Sequence, residues 1–446
     1  MIIKNALTFM ADGSFAPKHL RIDGAQIAEV MEPCSDDTLN QRYPHETMRD
    51  ARGLYAIPGL TDMHFHGCMG HDFCEGTPEA FDAICAYEAA AGITTVCPAT
   101  MTLSRQTLTG ICAAAANYRK AQQEAIAASG RAAQEVIAGA GRATQAATVR
   151  GAAGSALADG NAAGAAPAAM TGGNTADAPD PGAVSKCAEL AGINLEGPFI
   201  SMEKKGAQNP KFITPPDIDM FYELYEASEG LVRTIAIAPE EPGAMEFIDA
   251  LKDKTVISIA HTTAGYDIAN EALDRGARHA THLYNAMPPF SHRAPGVIGA
   301  ACDHDNCHVE LICDGVHIHP STVRATFQMF GDDRIILISD SMEATGMPDG
   351  QYSLGGLGVT VRGNLATLQD GTIAGSATNL MDCLRTAVKT MGIPLASAVK
   401  CAAVNPAKEI GIYDRYGSLE PGKAANIVLL DEELNTAAVY LRGKLL

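Results

Sequence analysis

The sequence lacks any apolar run that approaches the roughly 18 residues needed to span a bilayer. Its first residues lack the basic segment and long apolar stretch that together mark a secretory signal. The twelve cysteines include no C-x-x-C pair, and in a long chain without a signal peptide we expect them to be reduced thiols, mostly in the core. Together these absences predict a cytoplasmic protein.

Positive charge is also scarce. The 446 residues include 33 Lys and Arg against 52 Asp and Glu, which gives a formal net charge of -19 at pH 7. This excess of acid argues against a nucleic-acid partner, which requires a basic surface, but it permits one phosphorylated small molecule held by a local arginine. With 47% hydrophobic and 19% charged residues, the chain can bury a large core and is unlike a disordered protein.

Aromatic residues are missing from one long segment. No Phe, Tyr or Trp lies between Tyr118 and Phe199, and residues 120–185 hold 24 alanines. The first part of this segment, 121–147, has the composition of an Ala-rich helix. The later part has too few bulky side chains to offset the entropy lost on ordering. We therefore interpret about 120–185 as an Ala/Gly-rich, mobile surface insertion.

Eight short β-rich runs recur outside this insertion. They are LTDMHFH (60–66), TTVCPAT (94–100), INLEG (193–197), VRTIAIAP (232–239), VISIAH (256–261), ATHLYNAM (280–287), VELICDGVH (309–317) and RIILISD (334–340). Helix-length stretches separate several of them, and strands that alternate with helices pair in parallel through crossovers. The count predicts an α/β fold with a (β/α)8 TIM-like barrel over 57–411, although an open sheet of six or seven strands would give a similar pattern.

The two chain ends have a different pattern. Residues 1–56 contain short β-like runs around Asp23-Gly24, and residues 412–446 contain a turn followed by a strand. We expect 1–56 and 412–446 to pair into one small β domain beside the barrel, with a structural role.

An H-x-H pair follows the first predicted strand, at the end where such barrels carry their catalytic residues. His64 and His66 are two residues apart, so both imidazoles face the same side of an extended chain and could bind one metal ion. The pair alone is weak support, because the same spacing recurs at His317 and His319.

Four further residues lie at the ends of other predicted strands: Glu196, His261, His282 and Asp340. Taken singly, the carboxylates could form ordinary salt bridges and the histidines could be hydrogen-bonded core residues. At one rim of a barrel, however, three or more histidines with carboxylates predict a divalent metal site. Such a site favours metal-assisted hydrolysis. Asp340 would be the general base that takes a proton from water and later returns it to the leaving nitrogen.

Seven segments of the sequence carry a resemblance to a known family. They are PGLTDMHFHG (58–67), LEGPFISMEKKGAQNP (195–210), IAHTTAGYD (259–267), THLYNAMPPFSHRAPG (281–296), ICDGVHIHP (312–320), ISDSMEATG (338–346) and TIAGSATNLMDC (372–383). The chain resembles the amidohydrolase superfamily and, within it, the N-acetylglucosamine-6-phosphate deacetylases. The HLYNAM and LEGP…KKG segments are specific to that deacetylase group.

The resemblance implies a role for each matching residue. Asp340 matches the catalytic acid and base. The metal ligands it implies are Glu196, His261 and His282, with His64 and His66 holding a second metal that Glu196 would bridge. The substrate contacts it implies are Ala207, Asn285, Ala286, Arg293, His317, Ala374, Gly375 and Ser376, of which Arg293 and His317 would contact the sugar phosphate. It further implies one or two divalent metals, zinc first with iron, manganese or cobalt as alternatives, and a homodimer.

The implied reaction converts N-acetyl-D-glucosamine 6-phosphate to D-glucosamine 6-phosphate and acetate, in amino-sugar catabolism. The galactosamine epimer stays open as substrate, since one axial hydroxyl cannot be read from these motifs. A cyclic amidohydrolase of the dihydroorotase or hydantoinase type is a further alternative, although no strand-end lysine stands out as a metal bridge. A metal-dependent scaffold is the non-enzymatic alternative, and it would have no need of Asp340. Gln208 replaces the histidine usual in the family near the substrate carbonyl, so we expect substrate preference or rate to differ.

Overall fold

The computed structural model describes the backbone of residues 1–149 and 186–446, and their side chains except those of 129–149. The predicted insertion at about 120–185 lies partly within these residues. Its first part continues the helix Arg105–Val149, in agreement with its Ala-rich composition. The remainder of the insertion, 150–185, lies outside the described residues.

The described helices connect the strands of a mixed fold. They are α1 (Asp36–Arg42), α2 (Pro78–Ala91), α3 (Arg105–Val149), α4 (Ile218–Ala227), α5 (Ala244–Leu251), α6 (Tyr266–Arg275), α7 (Gly296–Asp303), α8 (Pro320–Phe330), α9 (Leu380–Lys389), α10 (Leu395–Val399) and α11 (Asn405–Glu409), with a π-helical turn at Lys400–Val404. Over the described residues, no helix combines the length and the apolar character that crossing a membrane requires.

The strands belong to an end sheet, a parallel barrel and smaller sheets. They are β1 (Ile2–Phe9), β2 (Phe15–Asp23), β3 (Gln26–Met31), β4 (Met48–Asp50), β5 (Tyr55–Pro58), β6 (Leu60–Asp62), β7 (Gly67–Cys68), β8 (His71–Asp72), β9 (Ile93–Val96), β10 (Ala99–Thr100), β11 (Glu189–Leu190), β12 (Ile193–Leu195), β13 (Val232–Ile237), β14 (Val256–Ile259), β15 (His279–Ala280), β16 (His308–Ile312), β17 (Ile335–Ile338), β18 (Gly350–Leu354), β19 (Leu357–Arg362), β20 (Leu365–Thr367), β21 (Ile373–Ser376), β22 (Ile427–Leu430), β23 (Thr436–Leu441) and β24 (Lys444–Leu445).

Both chain ends contribute to one sheet, in the order β24-β23-β22-β5-β1-β2-β3, with β4 beside β1. Strand β5 pairs in parallel with β1 and antiparallel with β22, so the two ends meet at β5. Apolar side chains such as Leu20, Ile27, Leu429 and Tyr440 fill a separate core cluster against this sheet. The predicted β domain made from both ends is confirmed. Strand β5 extends to Pro58, past the expected boundary at residue 56.

Parallel strands form the barrel in two sheets, β10-β12-β13-β14-β15-β16-β17 and β11-β9-β6. The second barrel strand is divided into β9 and β10, and the third into β11 and β12. Pro98, which has no N–H to donate, lies between β9 and β10. The first and last strands are joined where they end, since Asp340 N donates to His64 O at 3.0 Å and His66 N donates to Ser341 O at 2.7 Å. Each of the eight predicted runs overlaps a parallel strand, the run ATHLYNAM at Ala280 alone, which confirms the barrel.

Two features of the barrel differ from the sequence prediction. The run ATHLYNAM is mostly loop, because β15 ends at Ala280 and both Tyr284 and Ala286 have a positive φ, which strands exclude. In addition, residues between β17 and α9 form an unpredicted four-stranded antiparallel sheet, β18-β19-β20-β21. Its last strand is tied to the barrel rim, where Ser376 N donates to Asp340 O at 2.7 Å.

Candidate metal centre and active site

His64 and His66 extend from the first barrel strand into a buried cluster. Asp62, at the end of β6, accepts the backbone N–H of His64 through Oδ1 at 3.2 Å. Both imidazoles are buried and both reach Glu196. His64 Nε2 lies 3.4 Å from Glu196 Oε1, and His66 Nε2 lies 3.1 Å from Glu196 Oε2. The two rings therefore face one point, as the spacing of the pair predicts.

Glu196 is the centre of this cluster. It follows β12 directly and is 3% exposed. Its Oε1 lies 3.0 Å from His261 Nε2 and 3.1 Å from His282 Nε2. Glu196 is therefore shared by two groups of three residues, one with His64 and His66 and one with His261 and His282, and within each group the ligand atoms lie within 4.8 Å of one another.

Asp340 follows β17 on the side of the H-x-H pair. Its Oδ1 lies 3.3 Å from His66 Nε2 and 3.8 Å from His64 Nε2. Burial by itself would raise the pKa of Asp340, but the hydrogen bond to His66 and the charge on His64 hold that pKa below its usual range. The Asp340 carboxylate is therefore ionised at neutral pH and able to accept a proton.

The backbone of three site residues adopts a left-handed conformation. His261, His282 and Asp340 have φ values of 44°, 30° and 50°. This region is sparsely populated by residues other than glycine, and such backbone strain collects at functional sites because the surrounding structure must hold it in place. The strand ends therefore impose the direction in which these side chains leave the barrel.

Charge within the cluster is balanced between carboxylates and imidazoles. Burial would raise the pKa of Glu196, but the surrounding histidines hold it well below its usual range. Burial would lower the pKa of His66, whereas hydrogen bonds to Asp340 and Glu196 raise it to about 10. A divalent cation supplies the same positive charge when imidazoles give up their protons, since metal binding and deprotonation are linked.

The unpaired atoms of the cluster fit a metal ion. His64 Nε2 is buried and has no hydrogen-bond partner among the described residues. The Nε2 atoms of His261 and His282 lie 3.1 Å apart, a contact that at most one proton can bridge. Imidazole nitrogens and carboxylate oxygens are the ligands that zinc and its divalent neighbours prefer. The residues present therefore fit a metal with open coordination positions.

A cavity of about 480 Å³ opens above the cluster. The predicted substrate residues among its lining are Ala207, Asn285, Ala286, His317 and Gly375. Ala374 and Ser376 are fully buried on either side of Gly375 and do not line the cavity. Arg293 is exposed on the turn closed by Ser291 and Ala294, and it does not line the cavity either.

Comparison of the sequence with known proteins identifies the family of this chain. The sequence profile of the amidohydrolase family matches residues 55–446. The chain belongs to this family. A further match is 42% identical over 259 residues to the N-acetylglucosamine-6-phosphate deacetylase of Bacillus subtilis, and it covers 58% of this chain and 65% of that relative. The N-acetylgalactosamine-6-phosphate deacetylase of Escherichia coli is 30% identical over 400 residues, 90% of this chain and 89% of that relative.

Solved structures of the family share the fold. The N-acetyl-D-glucosamine-6-phosphate deacetylase of Mycobacterium smegmatis is 28% identical, with a TM-score of 0.78 over 100% of both chains. The predicted resemblance of this chain to the amidohydrolase superfamily is therefore confirmed in sequence and in fold.

Gln208 makes a contact in this amidohydrolase that its sequence position did not indicate. Its Nε2 donates to Glu196 Oε2 at 2.8 Å, and its Oε1 accepts from Thr102 N at 2.7 Å. The side chain is 2% exposed. Gln208 therefore orients the carboxylate at the centre of the cluster, and its expected effect on substrate preference or rate stays a prediction.

Several site residues of this amidohydrolase escaped the sequence analysis. Thr372 and Ile373, on or beside β21, and the half-buried Lys204 and Lys205 line the cavity. The KKG segment could have pointed to the lysines, because two adjacent cations follow a predicted ligand closely. Glu310 was also missed. It is a single buried carboxylate between Val309 and Leu311 in strand β16, and a buried acid of that kind needs partners.

Proposed function

We propose that this chain is a metal-dependent deacetylase that hydrolyses N-acetyl-D-glucosamine 6-phosphate to D-glucosamine 6-phosphate and acetate. The observation that carries the proposal is that Glu196, His261, His282 and Asp340 all line one cavity. The deacetylases of Bacillus subtilis and Mycobacterium smegmatis, to which the chain is similar, support the same substrate. The cavity volume of about 480 Å³ lies in the range of small-molecule sites.

The proposed metal ligands divide into two sets. Glu196, His261 and His282 would hold the principal metal, and His64 with His66 would hold a second one that shares Glu196. We favour zinc, with iron, manganese or cobalt as alternatives, because mixed imidazole and carboxylate ligands accept each of them. When bound, the metal supplies a Lewis acid that polarises the amide carbonyl and lowers the pKa of water from about 15.7 towards about 7.

Asp340 is the acid and base of the proposed reaction. Its ionised carboxylate accepts a proton from the water molecule that attacks the acetyl carbonyl carbon. When the C–N bond breaks, the protonated carboxyl group returns this proton to the leaving nitrogen, so that acetic acid and the free amine form and Asp340 is again ionised. The acetic acid then gives its remaining proton to the amine or to solvent and departs as acetate. Asp340 is 8% exposed, which limits competition from bulk water.

Polar and charged groups around the cavity suit a sugar phosphate. His317 lines the cavity, and its Nδ1 lies 2.7 Å from Asp314 Oδ2, which fixes the direction of the ring. Lys204 and Lys205 add positive charge to the wall. The phosphate contact of Arg293 stays a prediction, because that side chain is exposed and does not line the cavity.

The galactosamine epimer is the second candidate substrate. It is favoured by one observation, the match to the N-acetylgalactosamine-6-phosphate deacetylase of Escherichia coli, which covers 90% of this chain. The two epimers differ in the configuration of one hydroxyl group, and a site that hydrogen-bonds this group in one orientation leaves its own polar groups unpaired with the other epimer. Direct comparison of the two substrates therefore decides between them.

The test measures acetate release from both N-acetylated amino-sugar 6-phosphates, with and without a chelator, and with dihydroorotate and hydantoin as substrates of the alternative enzyme type. We expect the glucosamine derivative to give the highest kcat/KM, and chelation to abolish turnover until a divalent metal is restored. A preference for the galactosamine epimer would support the second candidate. Ring opening of a cyclic amide without acetate release would refute both.

Metal analysis of variants tests the two ligand sets. We expect Glu196→Gln and His282→Asn to empty the principal site, whereas the double variant His64→Asn, His66→Asn removes at most one metal per chain. The control is His71→Asn, because the His71 side chain is 36% exposed and lies at the start of β8, outside the cluster. One metal per chain in the parent protein and in the H-x-H double variant would reduce that pair to a structural role.

A further inference from the structure

Glu310 touches both proposed ligand groups from the side opposite the cavity. Its Oε2 lies 2.8 Å from His64 Nδ1, and the same oxygen accepts the backbone N–H of His282 at 3.0 Å. Glu310 lies inside β16, is 1% exposed and does not line the cavity. One carboxylate oxygen therefore contacts one residue of the H-x-H group and one residue of the principal group.

A buried row of acids and imidazoles continues from Glu310 towards the opposite end of the barrel. Glu310 Oε1 lies 3.1 Å from His279 Nε2, and His279 Nδ1 lies 3.2 Å from Glu409 Oε1. Glu409 Oε2 lies 2.7 Å from His308 Nδ1, and this last ring is partly exposed. His279 and His308 begin β15 and β16, whereas His64 and His282 follow the ends of their strands, so the row runs along the barrel interior.

The row surrounds the buried Glu310 carboxylate with close imidazole partners. A buried carboxylate is costly unless cations and hydrogen bonds compensate it. Burial by itself would lower the pKa of His279, but Glu310 and Glu409 raise it to about 9, so His279 is a cation at neutral pH. Burial would raise the pKa of Glu409, and His279 with His308 lowers it to about 2. Each carboxylate of the row is thus paired.

We propose that Glu310 is the positioning residue of the metal centre: it holds the proton of His64 on Nδ1, so that the Nε2 lone pair faces Glu196 and the metal. A metal-binding imidazole must present an unprotonated nitrogen, and the partner of its other nitrogen decides which tautomer forms. His279 and Glu409 act through Glu310, as their contacts fix its position. This inference rests on the proposed metal-dependent function, but it concerns metal binding, which is measurable without any substrate.

If the row had a purely structural role, its removal would change stability alone. Removal of a buried ion pair then lowers stability and leaves the metal site of the folded protein unchanged. Glu189 offers a matched control, because it is an equally buried carboxylate paired with Arg119 at 2.5 Å and Arg415 at 2.7 Å, away from the cavity. Glu189→Gln therefore removes the same kind of group without a contact to the proposed ligands.

The experiment compares Glu310→Gln, His279→Gln and Glu189→Gln with the parent protein. Each is stripped of metal and titrated with Co²⁺, whose visible spectrum reports the ligand geometry, and with Zn²⁺ for the dissociation constants. We expect Glu310→Gln to weaken binding at the site that contains His64 by about 10-fold to 100-fold and to change the cobalt spectrum. We expect a smaller loss for His279→Gln and no change for Glu189→Gln.

Activity adds a second readout if the parent protein is a deacetylase. Glu310→Gln should then lower kcat at limiting metal with KM nearly unchanged, and excess metal should restore part of the activity. An unchanged dissociation constant and spectrum in folded Glu310→Gln would overturn the proposal, and so would an equal loss in Glu189→Gln. If Glu310→Gln cannot be purified, His279→Gln decides by the same criterion. A parent protein that binds metal but releases no acetate would refute the proposed function alone.

Discussion

Replacement of Asp340 by asparagine separates proton transfer from metal binding. The change keeps the size of the side chain and an oxygen that can occupy the Oδ1 position, 3.3 Å from His66 Nε2. It removes the negative charge and with it the ability to accept a proton from water. Asp340 belongs to neither group of three candidate ligands, so the principal metal site should stay filled.

The expected loss of rate follows from the burial of this carboxylate. Removal of a general base typically lowers the rate by about 10²-fold to 10⁴-fold. Because Asp340 is 8% exposed, bulk water or buffer has little access to replace it as the base. We therefore expect the upper half of this range, about 10³-fold to 10⁴-fold in kcat, which corresponds to roughly 4 to 5.5 kcal/mol in the activation free energy.

The assay measures acetate release under saturating substrate, alongside the metal content of the same sample. Asp333→Asn is the matched control, since it makes the same chemical change at an 80% exposed side chain that pairs with Lys400 on the surface. An exposed ion pair contributes about 0–1 kcal/mol, so this control should retain full activity. A kcat for Asp340→Asn within about threefold of the parent, with metal present, would remove Asp340 from the mechanism.

Three further changes test the core, a buried ion pair and the phosphate contact. Phe247→Ala should lower the free energy of unfolding by about 3–5 kcal/mol in denaturant titrations, since the fully buried ring packs against Phe199 at 5.2 Å, and a loss below about 1 kcal/mol would contradict this packing. Burial raises the pKa of Glu189, but Arg119 and Arg415 hold it below its usual value of 4.5, so this group stabilises the fold above about pH 4.5 and less as pH falls below that value. Glu189→Gln should accordingly cost about 3–5 kcal/mol at pH 7 and less at pH 3, and a cost independent of pH would refute the assignment. Arg293→Ala should lower kcat/KM for the 6-phosphate by about 10²-fold and hardly affect the unphosphorylated sugar, whereas equal losses would indicate a structural role in the loop.

The sequence predicted those parts of the fold that depend on local pattern. Short apolar strands that end in a polar residue, such as VISIAH with His261, revealed the barrel and one rim of polar side chains together. The run with Tyr284 and Ala286 has a β-like composition, which predicts a strand. The left-handed backbone at both positions is imposed by the surrounding loop, and composition does not report it.

Contacts between distant segments could not be predicted in the same way. Glu310 and His64 are 246 residues apart, and no periodicity connects a carboxylate in β16 with an imidazole after β6. The sheet β18-β19-β20-β21 was also missed, although its last strand carries Ile373 into the cavity wall. A resemblance between motifs predicts the residues that contact a substrate. The residues that support them, such as Glu310, are identified only from the folded structure.

The joint between the first and last barrel strands has a consequence for the order of folding. Ser339 Oγ donates to Asp62 Oδ2 across 277 residues of sequence, at the same joint where the backbones of Asp340 and His64 are hydrogen-bonded. Such distant pairings form late, because the entropy of closing a long loop opposes them until the intervening strands have assembled. His64 and His66 therefore meet Asp340 only in the final closure of the barrel. During synthesis, the centre cannot assemble until the eighth strand has left the ribosome. A metal ion that binds the assembled centre would then favour the closed barrel.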